Sequence, residues 1–291
     1  MKSTFIQIAA ALLATTSNVL AHGEPDLRHE HAGDVFSKTH GGSWHLNGVL
    51  HNGNSTGQTK SIGGETLYLA YPRGYGRKTK TDTAILYLTD IFGNALVNNR
   101  LLADSLAKAG YLVVMPDLFR GDPVPADALS DPNSTFNMTA WRAHHPQSQV
   151  ETIIESAINS TRGELEAEKV AAVGYCFGGK YVARFLAEGR GVDAGFTAHP
   201  SAVLAEEWEA IAGPISIVFG DLDASNTPEN RTNIESIFFE GNKTYQTSLY
   251  ANAEHGFAVR TNLTDKKKAF AQESAYFQAV RWFDAWVKDD E

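Results

Sequence analysis

The most constraining feature of this chain is the stretch Val170-Ala171-Ala172-Val173-Gly174-Tyr175-Cys176-Phe177-Gly178-Gly179-Lys180. An apolar run ends on glycines that flank a single cysteine, and a helical pattern begins at once. The run reads as a buried strand from Val170 to Tyr175, and Gly178 to Glu188 reads as a helix. The turn between them is so tight that side chains two residues before and two after Cys176 would clash, so Gly174 and Gly178 occupy those places. Such a turn holds its central residue in a strained backbone conformation and aims the sulfur out over the sheet. The N-terminus of the following helix adds partial positive charge there, which favours a thiolate. A Gly-rich strand–helix junction can also cradle nucleotides, but neither the Gly-x-Gly-x-x-Gly fingerprint nor a P-loop is present.

The same alternation runs through most of the chain. Residues 65–71, 84–89, 111–115, 194–198, 214–219 and 244–250 read as further strands, and 98–109, 147–159, 228–239 and 267–287 as helices. Strands that are apolar throughout, alternating with helices, predict an α/β fold: a mostly parallel central sheet with helices on both faces. Residues 61–291 are sufficient for one such domain. Residues 22–60, rich in Gly, His and Asn, read as an irregular arm with room for one short strand. Residues 116–146, rich in Pro, Asp and Asn, read as a long loop or lid. In sheets of this kind the active site lies at the carboxyl ends of the strands.

The formal net charge is −9 and no long Lys/Arg run occurs, which argues against nucleic acid and anionic membranes as partners. Residues 1–21 read as a secretory signal: Lys2 is the basic start, Phe5 to Leu13 the short apolar core, and Val19-Leu20-Ala21 the cleavage site. Sequons at Asn54, Asn133, Asn137, Asn159, Asn230, Asn242 and Asn262 agree with a secreted, glycosylated protein. Cys176 has no partner cysteine in the chain, so it is either a buried small hydrophobe or a reactive thiol. Six histidines between His22 and His51 read as a solvated polar arm, and no metal is expected.

A cysteine nucleophile needs a base and a group to orient it. In a strand–Gly-x-Cys-x-Gly–helix arrangement, the nucleophile elbow, these follow in the order acid then histidine. Asp221 and Asp223 both end the strand that closes with Phe219. His255 follows the next strand, and of the ten histidines it alone has that placement. A neutral imidazole there can take the thiol proton while the carboxylate fixes its tautomer.

The chain resembles the dienelactone hydrolase family, especially its fungal branch, from about Ser61 onward. The resemblance rests on Gly174 to Lys180, Thr89-Asp90-Ile91-Phe92-Gly93, Pro116-Asp117-Leu118-Phe119, Ala198-His199-Pro200-Ser201 and His255-Gly256-Phe257. It implies an α/β-hydrolase fold and a triad of Cys176, Asp223 and His255, with Asp223 preferred to Asp221. It also implies an oxyanion hole from the Ile91 and Phe177 amides, each donor supplying about 3 kcal/mol of transition-state stabilisation. Asp90 stands where bacterial members carry a glutamate that takes the thiol proton at rest, one methylene shorter. Arg120 and Arg260 correspond roughly to two arginines that grip a substrate carboxylate. Tyr175, beside the cysteine, is read as a substrate-binding residue that shapes the pocket, with core filling as the alternative, and Trp141, His144 and His145 lie in the lid-like region, where facing the substrate is one reading.

The reaction implied is the opening of a lactone or the cleavage of a small ester through a thioester, by a monomer or homodimer, with no cofactor. Two alternatives remain open: an enzyme closing or opening lactones in polyketide metabolism, and a secreted binding protein that kept the scaffold without catalysis.

Overall fold

The computed structural model describes residues 48–76, 82–129 and 131–288. The leader read at residues 1–21 and residues 22–47 of the arm lie outside them. Eight strands form one sheet: β1 (Gln58–Ile62), β2 (Glu65–Ala70), β3 (Thr83–Leu88), β4 (Leu112–Pro116), β5 (Lys169–Tyr175), β6 (Ala194–Ala198), β7 (Ile215–Gly220) and β8 (Tyr245–Tyr250). The helices are α1 (Val97–Lys108), α2 (Met138–His144), α3 (Gln147–Gly163), α4 (Phe177–Phe185), α5 (Ala205–Glu209), α6 (Pro228–Glu240) and α7 (Lys266–Trp286).

The strand order is β1-β2-β4-β3-β5-β6-β7-β8. β1 and β2 are antiparallel to their neighbours and the remaining pairs are parallel. The chain leaves β3 toward β4 on one side and returns to β5 on the other. The carboxyl ends of β3 and β5 therefore diverge into a crevice, the place where open α/β sheets take their ligands. Parallel strands in this sheet are apolar throughout because both faces are covered. β3 and β4 are buried at every position.

Alternation along β5 assigns its side chains to two cores. Val170 and Ala172 join Val150, Ile153, Val182, Phe185, Trp208 and Phe238 on the face under α3, α4, α5 and α6. Ala171, Val173 and Tyr175 join Leu102, Leu106, Ala279, Val280 and Phe283 on the face under α1 and α7. Helix starts carry the expected caps. Asn137 accepts from Ala140 N at 3.0 Å, Asp265 accepts from Lys267 N at 2.9 Å, and Pro228 opens α6 behind Thr227.

Three details depart from the sequence reading. β1 crosses the boundary drawn between residues 60 and 61 and joins the sheet through register Gln58↔Leu69 to Ile62↔Glu65. It is an exposed edge strand with no apolar run to announce it. Residues 116–146 are not wholly irregular, since α2 forms behind its Asn137 cap. The five-residue α5 between β6 and β7 is too short for its periodicity to register.

Candidate active site

Cys176 sits between β5 and α4 with φ 51° and ψ −110°, a conformation that costs of order 1–3 kcal/mol for a non-glycine residue. The turn leaves no space for side chains two residues before and two after Cys176. A Cβ on Gly178 would lie 2.1 Å from the Leu88 carbonyl oxygen, and one on Gly174 would lie 2.6 Å from that of Gly178. The strained backbone is held by main-chain bonds. Cys176 N donates to Ala198 O at 3.2 Å, and Cys176 O accepts from Ser201 N at 3.1 Å and Gly179 N at 3.1 Å.

His255 follows β8, and Asp223 follows β7. His255 Nδ1 lies 3.0 Å from both Asp223 oxygens. Burial works against a charged imidazole at His255, but hydrogen bonds to Asp223 and to Cys176, with the charges of both, overcome it and push the pKa up to about 10. His255 thus meets the Asp223 carboxylate directly and is influenced by the Cys176 sulfur. Burial raises the Asp223 carboxyl, and the bonds and charge from His255, with the amide of Asn226 and the N–H of Ser225, outweigh it and leave it below its ordinary value. Of the two acids read at this strand end, Asp223 is buried and meets His255, whereas Asp221 is exposed.

The loop after β3 carries Ile91, and Phe177, the residue after Cys176, is the first of α4. The N–H of a first helical residue has no acceptor within its helix. Among the described residues neither amide donates to a backbone carbonyl. Backbone donors without a carbonyl partner are the kind of group that receives an oxyanion. This loop is rigid. Asp90, 2% exposed, accepts from Phe92 N at 3.1 Å and from Asn99 Nδ2 at 3.0 Å, and Asn99 is held by Tyr87 Oη at 3.0 Å. The second Asp90 oxygen pairs with Arg260 Nη1 at 2.5 Å, and the guanidinium lies 4.0 Å over the Phe92 ring. Asp90 is therefore engaged with Arg260, and Arg260 stands at the edge of the site.

Two expected substrate-binding residues are elsewhere. Arg120 is exposed and pairs with Glu65 at 3.0 Å, on a strand separated from β5 by β4 and β3. Tyr175 is 1% exposed, with its ring 5.1 Å from that of Tyr87. As the last residue of β5 it points into the α1/α7 core. Of the segment read as a lid, Trp141 is buried against Phe119, at 5.0 Å, and near Phe177, at 6.3 Å between ring centroids. Its Nε1 donates to Asp122 O at 2.8 Å. His145 is buried and meets Asp122 Oδ2 at 3.1 Å, whereas His144 is exposed. Val124 N donates to Ile91 O at 2.9 Å, which ties this segment to the Ile91 loop.

The sequence reading missed three neighbours. Asn226 Nδ2 donates to Asp223 Oδ2 at 2.8 Å and to Pro200 O at 2.9 Å. His199, fully buried with φ 41°, lays its ring edge-on to that of His255, 5.1 Å between centroids. Burial, with the His255 charge beside it, holds its imidazole well below the ordinary range. Ser201 Oγ lies 3.6 Å from Cys176 Sγ. His199 and Ser201 belong to the Ala198-His199-Pro200-Ser201 stretch that carries part of the family resemblance and follow β6, whose carboxyl end a parallel sheet directs to the crevice, but neither signal gave them a role. Asn226 had no such signal.

A mostly parallel sheet with a cysteine on a strained strand–helix turn and a His–Asp pair from the two last βα connections defines an α/β-hydrolase. Comparison with known proteins agrees. The dienelactone hydrolase family model matches residues 68–287. The hydrolase pyvD of Aspergillus violaceofuscus is 40% identical over 84% of this chain and 96% of its own length. Dienlactone hydrolase 1 of Gibberella moniliformis is 31% identical over 83% and 92%. A putative dienelactone hydrolase structure from Klebsiella pneumoniae superposes with TM-score 0.65 at 19% identity, covering 79% of this chain and 99% of that one, a likeness of fold. The chain belongs to the dienelactone hydrolase family and is an enzyme of the hydrolase class.

Proposed function

We propose that the enzyme opens lactones or cleaves small carboxylic esters with Cys176 as nucleophile. The observation that carries the reading is the His255 imidazole, which meets Asp223 at 3.0 Å and is influenced by the Cys176 sulfur held in its strained strand–helix turn. Sγ attacks the carbonyl carbon, and the carbonyl oxygen takes the negative charge between the two amides. As the C–O bond breaks, the ring oxygen leaves with its electron pair and takes the proton from His255 Nε2, giving a thioester. Water then gives a proton to His255 and attacks the thioester, and the C–S bond breaks with its electron pair returning to sulfur. Asp223 keeps Nδ1 protonated and steadies the imidazolium. Relatives named dienlactone hydrolase and carboxymethylenebutenolidase homolog support the substrate class.

Turnover of a dienelactone and a short p-nitrophenyl ester, measured beside Cys176→Ala, tests this. Loss of both activities in the variant is expected, and equal turnover by the two proteins would remove Cys176 from the mechanism.

Secretion through a glycosylating route belongs to the same proposal. All seven sequons have Thr in the third position, and all seven asparagines are exposed. Endoglycosidase treatment of the secreted protein is expected to lower its mass by several glycans. An unmodified chain that stays inside the host and begins at Met1 would contradict this part.

A further inference from the structure

The segment after β6, His199-Pro200-Ser201, is linked to every member of the proposed triad, to two directly and to Asp223 through the Asn226 amide. The His199 ring meets His255 edge-on, Pro200 O shares the Asn226 amide with Asp223, and Ser201 reaches Cys176 twice. One of those contacts is main chain, Ser201 N to Cys176 O at 3.1 Å. The other joins Ser201 Oγ and Cys176 Sγ at 3.6 Å, within the range of a hydrogen bond to sulfur.

We propose that Ser201 is a second donor to the Cys176 sulfur, a positioning residue that holds the thiolate at rest and receives it again when the thioester breaks. The inference rests on the reading of Cys176 as nucleophile.

The direction of the bond follows from charge. In the proposed mechanism the sulfur carries negative charge before attack and again when the thioester breaks, and a thiolate can only accept, so the hydroxyl donates at those points. The main-chain bond fixes where Ser201 stands, and its side chain has only to turn toward the sulfur. Other groups around Cys176 leave this role open. His255 supplies one donor and Asp223 lies behind it. His199 is neutral and has no hydrogen-bond partner on either ring nitrogen among the described residues. Asp90, from the loop after β3, is paired with Arg260.

In the last step, water loses a proton to His255 Nε2 and bonds to the thioester carbon. The C–S bond then breaks, its electron pair goes to Sγ, and the Ser201 hydroxyl donates to the new thiolate with no net proton transfer. Acylation converts the sulfur from an anion to a weak acceptor, so the Ser201 bond favours the free thiolate over the acyl-enzyme. Its loss is therefore felt in deacylation.

The test uses the whole protein with Ser201→Ala, Ser201→Gly and Ser201→Thr. Cys176 is the only cysteine, so iodoacetamide reports on it alone. The pH midpoint of alkylation is expected to rise by about one unit in the Ala and Gly variants, the scale of one hydrogen bond to a charged group. With p-nitrophenyl acetate these variants are expected to show a burst followed by a steady rate about tenfold lower. The Thr variant, which keeps a hydroxyl, is expected to restore both. A purely structural role would lower Tm and leave the midpoint and burst unchanged. If folded Ala or Gly variants keep the wild-type midpoint and show no burst while Cys176→Ala is inactive, the Ser201 role is wrong and the nucleophile stands. If Cys176→Ala remains active, both readings fall.

Discussion

Asp90 and Arg260, separated by 170 positions in the chain, meet with Oδ2 2.5 Å from Nη1, so the loop after β3 and the turn after His255 are joined across the mouth of the site. The carboxylate is 2% exposed and the guanidinium side chain 39% exposed. The buried partner is also bonded to Phe92 N and Asn99. Arg260 thus presents a charge already matched from within the protein.

That pairing sets an expectation for substrate charge. Asp90→Asn keeps an acceptor for Phe92 N and removes the countercharge, which frees the guanidinium to grip an anion. KM for a lactone bearing a carboxylate is expected to fall about tenfold, while KM for a neutral ester moves less than about twofold. Steady-state kinetics on the matched pair of substrates decides it. An equal change in both would mean that Arg260 does not reach the substrate.

Gly178 supports the turn at Cys176 by lacking a side chain. A Cβ there would meet Leu88 O at 2.1 Å and Thr89 O at 2.8 Å, both backbone atoms at the end of β3. Neither can retreat without moving the strand that carries the Ile91 loop. Gly178→Ala is expected to destabilise the fold by at least about 3 kcal/mol, beyond the usual range for one added methyl, and to lower kcat by displacing the Phe177 and Ile91 amides. Chemical denaturation gives the first number and ester turnover the second. A fully active, fully stable variant would mean that the turn relaxes in solution.

The fold and the centre of the site were legible for different reasons. β3, β4, β5, β6 and β7 announced themselves because both faces of a parallel sheet are buried, which leaves uninterrupted apolar runs. β1 did not, because an exposed edge strand needs no apolar side chains. Cys176 and His255 were readable from turn chemistry and chain order. Tyr175 was misjudged by nearness in sequence, whereas the period of two along β5 sends it to the opposite face from Ala172. Arg120 was misjudged because a motif fixes a position in the chain and not the direction of a long side chain, and Glu65 captures this one. Asn226 sits in a loop where no periodicity acts, so its two bonds arise only from the tertiary fold.

Asn226 is expected to matter more than its place in a loop suggests. Its amide is buried and satisfies two acceptors, Asp223 Oδ2 and Pro200 O. Asn226→Ala leaves both without that donor, at a cost of about 1–3 kcal/mol in stability. Asp223 also becomes freer to turn away from His255, so kcat is expected to fall about tenfold with KM nearly constant. Asn226→Asp is expected to be worse, because it sets a second carboxylate beside the first. Urea denaturation and ester kinetics on the two variants test this, and a larger loss in the Ala variant than in the Asp variant would contradict it.

The charge state of His255 gives the last prediction. Its ordinary pKa of 6.5 is raised to about 10 in the folded protein, so the folded state binds its proton more tightly than the unfolded chain. The stabilisation from this residue is whole below pH 6.5 and is lost as pH rises through about 10. Asp223 works in the opposite sense. Its carboxyl is held below 3.8, so its contribution is present above that pH and is lost as pH falls further. The gap in Tm between wild type and His255→Gln is therefore expected to be steady from roughly pH 4.5 to 6.5 and to close toward pH 10. Nitrogen NMR of the labelled imidazole is expected to report a charged ring at neutral pH, with a lower pKa in Cys176→Ala, where the sulfur's bond and charge are gone. A neutral ring at pH 7 in the wild type would mean that the resting pair is thiol and imidazole, and that His255 takes the proton only when substrate is bound.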